Sequence, residues 1–368
     1  MTKALQLVQY VGGRWLARAA APLARNWAPY SRLLVARDYA GWTLDVEAQA
    51  VMQICRRLRV PTASGAWMSA CRNQAVFYVD QFVLLDPPDW GAHRVGIAYY
   101  HGVPGSGLPE FDRVFANLRR HHERIARVQV SHAAMRDVVL GSGIAPDKVR
   151  VIPIGFHRDW FRPPTPHQRR RARERLGFPA HARVVGSFQK DGVGWGEGFE
   201  PKLIKGPDVF VETMKRVRAR VPELHVLLTG PARGYVKRGL EAAGIPYRHA
   251  LLRTYRQTAA MYHALDAYVV SSRQEGGPKA VLESMATAVP LVSTKVGQAT
   301  DLVRHGQNGC LVEVDDVEGL AHWTEQALAD ESFRSVLLAG GAQTAAENCY
   351  EAQGPLWRDF LKTLVEVR

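Results

Sequence analysis

Short apolar runs recur along the chain, each closed by polar, glycine or proline residues. The clearest are Arg32-Leu-Leu-Val-Ala36, Gln74-Ala-Val-Phe-Tyr-Val79, Arg94-Val-Gly-Ile-Ala-Tyr-Tyr100, Arg127-Val-Gln-Val-Ser131, Ala182-Arg-Val-Val-Gly-Ser-Phe188, His225-Val-Leu-Leu-Thr-Gly230 and Ala267-Tyr-Val-Val270. Their length and β-branched content predict buried strands. Helical stretches lie between them. After a loop at Asp38–Trp42, Thr43 or Asp45 caps a helix through Leu58. Pro109 to Ile125 sets Phe111, Val114, Phe115, Leu118 and Ile125 against Arg113, Arg119, Arg120, His121, His122, Glu123 and Arg124, which is an amphipathic basic helix. Ser131-His132 opens another, and the residues after Asp315 read as helices, the last at Leu356–Val367. Strands alternating with helices imply parallel βαβ units, whose ligands gather at the strand carboxyl ends.

One stretch carries most of the candidate chemistry. The strand at Ala267–Val270 runs into Ser271-Ser-Arg-Gln-Glu-Gly-Gly-Pro-Lys-Ala280, a turn through Gly276 and Gly277 that enters a predicted helix at Pro278. Proline suits a first helical position, where its missing N–H has no helical partner anyway. The N–H groups of Lys279 and Ala280 would then point out of the helix start as an anion site for a phosphate. Glu275 sits at the loop mouth and Glu283 lies eight residues on. Each carboxylate can accept two hydroxyl hydrogen bonds, so the pair suits vicinal hydroxyls on both sides of a diphosphate.

At 368 residues and 46% apolar content, the chain has material for two cores. Its net charge of +13 favours acidic partners, among them a nucleotide diphosphate or an anionic membrane face. The arginine run within residues 163–176 reads as linker and helix. Nucleic acid is not expected as a partner, because no aromatic platform accompanies that run. Cys55, Cys71, Cys310 and Cys349 are scattered without metal or disulfide spacing, which fits reduced thiols in a cytoplasmic protein. No Asp-x-Asp metal motif occurs. The first residues lack an apolar segment long enough for a signal peptide. Residues 1–31 mix Trp, Leu and Arg, as expected of a helix packed on its own domain or of an amphipathic segment touching membrane or acceptor.

The text Glu275-Gly-Gly-Pro-Lys-Ala-Val-Leu-Glu-Ser-Met-Ala286, with the following Ala288 to Gly309, resembles the retaining glycosyltransferases of the GT-B fold, family 4 type, at their Glu-x7-Glu motif. The resemblance implies an α/β chain of two Rossmann-like domains facing across a cleft. Residues 1–160 would bind the acceptor and residues 161–351 the nucleotide sugar, with a helix at about 352–368 packing back on the first. It implies that Glu275 contacts the donor sugar, that Glu283 binds the ribose, and that Gly276, Gly277, Lys279 and Ala280 approach the donor. His101, at the end of a strand, would contact the donor sugar from the first domain. Lys205-Gly206 matches the family's diphosphate-binding Lys-Gly, but the family's preceding Arg is absent. Gln189-Lys190 stands there, so Lys190 would supply a point charge without the arginine fork, with Lys202 as a further candidate. Residues 191–200, with four alternate glycines, suggest a mobile flap over the donor or an ordered Trp195 contact. Tyr255 or its neighbours would touch the base. Val149 to Pro163 matches the segment ahead of the interdomain linker, with Ile154 in place of the usual Asn.

The chemistry this implies is retaining transfer of a hexosyl-type sugar from a nucleotide-diphosphate donor. It needs no metal or other cofactor, because Lys205, Lys190 and the helix start neutralise the leaving group. The implied route is front-face. A covalent Glu275 intermediate is disfavoured, since retaining glycosidases hold two carboxyls about 5 Å apart, whereas eight helical residues span about 12 Å. Acceptor classes left open are lipid, saccharide and small molecule. The basic helix is either a solvated face or the basic surface with which monotopic family members meet anionic lipid at the inner membrane face. Two competing readings are a nucleotide-sugar epimerase or hydrolase on the same scaffold, and a non-catalytic basic adaptor for membrane or nucleic acid.

Overall fold

The computed structural model describes residues 27–36 and 43–366. Most of the N-terminal stretch and the loop expected at Asp38–Trp42 lie outside the described residues. The chain divides into two compact units, one of Met1–Ile154 with Tyr350–Arg368, the other of Gly155–Cys349.

Unit 1 is built on six parallel strands: β1 (Leu33–Ala36), β2 (Thr62–Ser64), β3 (Ala75–Tyr78), β4 (Arg94–Ala98), β5 (Ile125–Val130) and β6 (Val149–Val151), in the order β2-β1-β3-β4-β5-β6. Helices α1 (Thr43–Arg57), α2 (Pro109–His121) and α3 (Ala133–Leu140) cover it. Strand alternation divides the apolar residues between two faces. Leu33, Val35, Ala75 and Phe77 pack with α1, while Val95, Ile97, Val128 and Val130 pack with α2 and α3. On α2, Phe111, Val114 and Leu118 are buried and Arg113, Arg119 and Arg120 are exposed, so its basic side is the solvated one.

Unit 2 repeats the plan with β7 (Arg183–Ser187), β8 (Leu224–Thr229), β9 (Tyr247–Ala250), β10 (Ala267–Val270), β11 (Leu291–Thr294) and β12 (Cys310–Val312). Their order, β12-β11-β10-β7-β8-β9, is that of a doubly wound dinucleotide fold. Its helices are α4 (Pro166–Leu176), α5 (Pro207–Arg220), α6 (Gly234–Ala242), α7 (Thr258–Tyr262), α8 (Ala280–Ala286), α9 (Ala299–Leu302), α10 (Val317–Ala329) and α11 (Glu331–Asn348). The strand order reverses between β7 and β10, which pair in parallel at Ala267↔Val185 and Tyr268↔Gly186. Loops leaving those two carboxyl ends diverge and leave a crevice, the usual ligand position of such sheets.

Two charged features resolve into structure. In the arginine run, Arg169 bonds one Asp266 oxygen at 2.6 Å and Arg173 bonds the other, which also accepts the Val184 N–H at 2.7 Å. These two arginines clamp α4 to the amino ends of β7 and β10. At the other end of the chain, α12 (Gly354–Leu361) belongs to unit 1. It sets the rings of Trp357 and Phe360 edge-on to Phe77, at 5.6 and 5.5 Å between centroids. Gly96 of β4 leaves the room for this, since a Cβ there would lie 3.0 Å from Leu364 and 3.5 Å from Phe360. Phe360 is fully buried. Phe360→Ala is expected to lower the stability of unit 1 by about 3–5 kcal/mol, read as a lower denaturant midpoint for unit 1 with that of unit 2 unchanged.

Candidate active site

The loop after β10 and the loop after β7 are joined by a ring of side chains. Lys205 Nζ donates to Glu275 Oε2 at 2.6 Å, and Ser272 Oγ donates to Glu275 Oε1 at 2.8 Å. Ser272 Oγ also lies 3.2 Å from Gln189 Oε1, while the Gln189 amide donates to the Lys205 carbonyl at 2.9 Å. Lys205 and Glu275 are both mostly buried, at 23% and 12% side-chain exposure. The pair is therefore poorly screened, and loss of either partner leaves a charge without its counter-ion.

Backbone contacts hold this ring in place. Lys205 closes a 3₁₀ turn (Leu203–Lys205), and Gly206 then turns left-handed at φ 59° to start α5, with Pro207 at its first position. Only glycine fits there, because a Cβ would collide with the Ser271 carbonyl. Ser271 Oγ donates to the Gly206 carbonyl at 2.9 Å, and the N–H groups of Arg273 and Gln274 both donate to the Ile204 carbonyl. Arg273 forks onto Asp208 at 2.8 and 2.7 Å and pairs with Asp315 at 2.7 Å. The Arg273 fork holds the Asp208 carboxyl below its usual range.

Glu283 forms a second cluster. It is 3% exposed and accepts hydroxyl hydrogen bonds from Tyr255 and, at 3.1 Å, from Tyr262. Tyr262 packs 4.9 Å from Phe188 and 5.3 Å from Tyr268, whose hydroxyl accepts the Phe188 N–H at 2.7 Å. The chain leaving β7 is thus tied to Glu283 through aromatic rings.

The structure differs from the sequence-based expectation at the start of the helix. Helix α8 spans Ala280–Ala286 and does not begin at Pro278, because the Pro278 carbonyl takes the Val281 N–H in a tight turn ahead of it. Glu275 consequently stands on extended loop, and the helical spacing argument does not apply to the Glu275–Glu283 pair. Lys279 sends its side chain to the Gly155 carbonyl at 2.9 Å, with Nζ 5.5 Å from the Tyr255 ring. The loop 191–200 is laced at its base. Gly192 bridges Pro201, Val193 donates to Glu200, and Gly234 and Tyr235 donate to the Glu197 and Gly198 carbonyls. Gly192 and Gly198 press against Ala232 where no Cβ fits, while Gly194 and Gly196 stand in open space at the tip. Trp195, 62% exposed, lies there with Lys190 Nζ 4.8 Å from its ring. Burial lowers the pKa of Lys190.

Gly276 is fixed from the other side, its carbonyl accepting the Gln298 N–H at 3.0 Å. His101 belongs to unit 1, just beyond β4. Gln81 accepts the Tyr100 N–H at Oε1 and sets its Nε2 3.2 Å from His101 Nδ1, so the amide donates and the imidazole proton falls on Nε2.

Sequence reasoning missed the buried pair Asp191–Arg233, 2.9 Å apart with both side chains inaccessible. Arg233 also donates to the Ser187 and Thr229 carbonyls at 2.6 and 2.9 Å and to Ser187 Oγ at 3.1 Å. It thereby pins the carboxyl ends of β7 and β8 beneath Gln189 and Lys190. Burial pushes the Asp191 carboxyl up, and Arg233 opposes that shift. The missed Ser272, Gln189 and Tyr262 join the site only through topology, and nothing in their local spacing marks them.

Two histidines of unit 2 give it a pH signature. His249, bonded to the Gly230 carbonyl at 2.7 Å, and His263 are both held below the ordinary histidine pKa, chiefly by burial. Between the lowered folded value and the ordinary value of about 6.5, the unfolded chain binds protons that the folded chain refuses. Stability from these groups is present above that window and is lost as pH falls through it. The thermal stability of unit 2 is expected to fall from pH 7 towards pH 5, and the slope is expected to flatten in His249→Gln and His263→Gln.

Comparison with known proteins shows what the chain resembles. A family model described as "Glycosyl transferases group 1" matches residues 198–330, which contain Lys205, Glu275 and Glu283. The D-inositol 3-phosphate glycosyltransferase of Corynebacterium aurimucosum is 29% identical over 213 residues, 54% of this chain and 47% of that protein. The lipopolysaccharide core biosynthesis mannosyltransferase LpsB of Rhizobium meliloti is 27% identical over 207 residues, 54% of this chain and 56% of that protein. The chain thus spans about half the length of the curated relatives it matches. Among solved structures, Anabaena HepE in complex with UDP-glucose aligns with TM-score 0.70 at 17% identity, covering 90% of this chain and all of that one. Sucrose-phosphate synthase from Thermosynechococcus elongatus aligns with TM-score 0.63 at 20% identity, covering 79% of this chain and 73% of that one. Residues 198–330 are thus similar to the group 1 glycosyltransferases, and the two parallel six-stranded sheets and the solved structures give the chain the GT-B fold.

Proposed function

We propose that the protein transfers a sugar from a nucleotide-diphosphate donor to an acceptor hydroxyl with retention of anomeric configuration, and that unit 2 holds the donor. The observation that carries this is the Lys205–Glu275–Ser272–Gln189 ring at the carboxyl ends of β7 and β10, where a doubly wound sheet receives its ligand. Lys205 has three N–H donors, of which Glu275 takes one, leaving the ammonium able to bond phosphate oxygens. Lys190 supplies a second, more mobile charge, and Gly276 and Gly277 let the donor approach backbone. Glu275, oriented by Lys205 and Ser272, meets the donor sugar hydroxyls. Glu283, oriented by Tyr255 and Tyr262, meets the ribose hydroxyls.

The bond from the anomeric carbon to the diphosphate oxygen breaks, and the acceptor oxygen bonds that carbon on the same face. The acceptor proton passes to the departing phosphate oxygen, whose developing charge Lys205 stabilises. Fixed cations perform the role a metal would otherwise fill, so the reaction is metal-independent. The similarity to a structure holding UDP-glucose makes uridine the first base to test. The acceptor is a lipid, saccharide or small molecule. The exposed basic side of α2 suits peripheral contact with an anionic inner membrane face in the cytoplasm. No helix among the described residues is long and apolar enough to cross a membrane.

Calorimetry with UDP, GDP, dTDP and ADP tests the donor site. One nucleotide is expected to bind selectively, and Lys205→Ala to weaken it by roughly tenfold to a hundredfold, the loss of one charge-assisted contact. No binding by any of the four would refute the donor site. With the selected donor sugar, proton NMR of the product is expected to show the donor's anomeric configuration unchanged without added metal, and Glu283→Gln to raise KM for the donor.

A further inference from the structure

A second cationic pocket lies in unit 1, at the end of its sheet away from His101. All six strands run parallel, so the residues that open β4, β5 and β6 share one edge. Arg94 begins β4, Arg124 immediately precedes β5 and Lys148 immediately precedes β6. With Arg127, Glu123 and Asp147 they line a cavity of about 570 Å³. Four cations there face two carboxylates, and the family's ligands sit at the opposite ends of the strands, about 16 Å away along a five-residue strand.

Three of the four cations spend their hydrogen bonds on neutral groups. Arg124 donates to the Gly91 carbonyl, Arg127 to the Asp147 carbonyl, and Lys148 to the His122 and Glu123 carbonyls at 3.2 and 3.1 Å. Neutral carbonyls occupy N–H donors without neutralising the cations. Arg94 stacks on Tyr30 at 3.6 Å and reaches Glu366 at 3.1 Å across partly exposed surface. Arg127 is the most telling member, at 6% exposed with an Nε that has no hydrogen-bond partner. Burial and the neighbouring Arg150 disfavour its charge, and Asp359 and Asp147 offset this only in part. A buried cation with an unmet donor is costly unless an anion completes it. Several acceptor oxygens on one compact anion would meet Arg127, Arg124 and Lys148 together, and phosphate has that shape and charge.

We infer that this cavity binds a phosphate or diphosphate group, carried either by a soluble metabolite or by a lipid headgroup. The inference does not rest on the reading of unit 2. Arg124 and Lys148 hold the anion at the cavity mouth, Arg127 holds it from within, and Glu123 and Asp147 limit its affinity.

The test is calorimetric titration of inorganic pyrophosphate into the full chain. The Lys205→Ala background removes the principal cation of unit 2. Pyrophosphate binding is expected to persist in Lys205→Ala and to weaken at least tenfold when Arg124→Ala and Lys148→Ala are added. Glu123→Gln in the same background is expected to tighten binding severalfold, a gain that impaired folding does not produce. Binding that disappears with Lys205→Ala alone, or that ignores the Arg124, Lys148 and Glu123 changes, overturns the inference. Phosphatidylglycerol and phosphatidylcholine vesicles then separate the two sources. Competition with pyrophosphate by the anionic vesicles alone assigns a headgroup, and absence of competition alongside retained pyrophosphate binding assigns a soluble phosphate.

Discussion

In a doubly wound sheet the loops that leave neighbouring strands in opposite directions open a crevice, and something must then hold those loops in register. In unit 2 that constraint is met by the Lys205–Glu275 ion pair. Its two residues lie 70 positions apart, and Ser272 and Gln189 close the ring around them. The ring holds a cation and a carboxylate side by side at the carboxyl ends of β7 and β10. Gly206 makes it possible by letting the backbone below Lys205 rest on the end of β10. Beneath it, the Asp191–Arg233 pair fixes the carboxyl ends of β7 and β8 from the interior. Two ion pairs of different depth thus divide the work, the inaccessible Asp191–Arg233 pair fixing the strand ends and the mostly buried Lys205–Glu275 pair joining the loops above them.

The same topological logic separates the ends of the sheet in unit 1. Its carboxyl ends carry His101, held by Gln81 between the rings of Phe82 and Phe111. Its amino ends carry the cationic cavity around Arg127. A net charge of +13 is therefore not spread evenly as solvating surface. Part of it, Arg169 and Arg173, holds α4 on Asp266, and part gathers where strands begin.

Legibility in the sequence followed the range of the interaction. Runs such as Ala267–Val270 and His225–Gly230 announced their strands, because a buried parallel strand is continuously apolar. The strands β2, β6 and β12 have three residues each, too few to show a period, and were not singled out. The Glu-x7-Glu text drew attention to the loop after β10, since both carboxylates and the glycines lie on one short segment, and that segment falls within the residues the family model matches. The start of α8 was misplaced because proline's helical preference is a weak local rule, outweighed here by the turn that aims Glu275 at Lys205. Ser272, Tyr262 and Arg233 stayed hidden because each acquires its role from a partner brought near by the fold. The packing of the glycine-dotted loop stayed hidden for a similar reason. Two of its glycines serve close packing against Ala232, a contact that no local pattern encodes.

The account's central claim is that the diphosphate of a nucleotide sugar sits on Lys205 at the carboxyl ends of β7 and β10. A crystal structure of the protein with bound UDP, or with whichever nucleoside diphosphate binds tightest, tests it most directly. The account requires a phosphate oxygen within hydrogen-bond reach of Lys205 Nζ and the ribose hydroxyls on Glu283. A nucleotide seated elsewhere, with the Lys205–Glu275–Ser272 ring untouched, would contradict it.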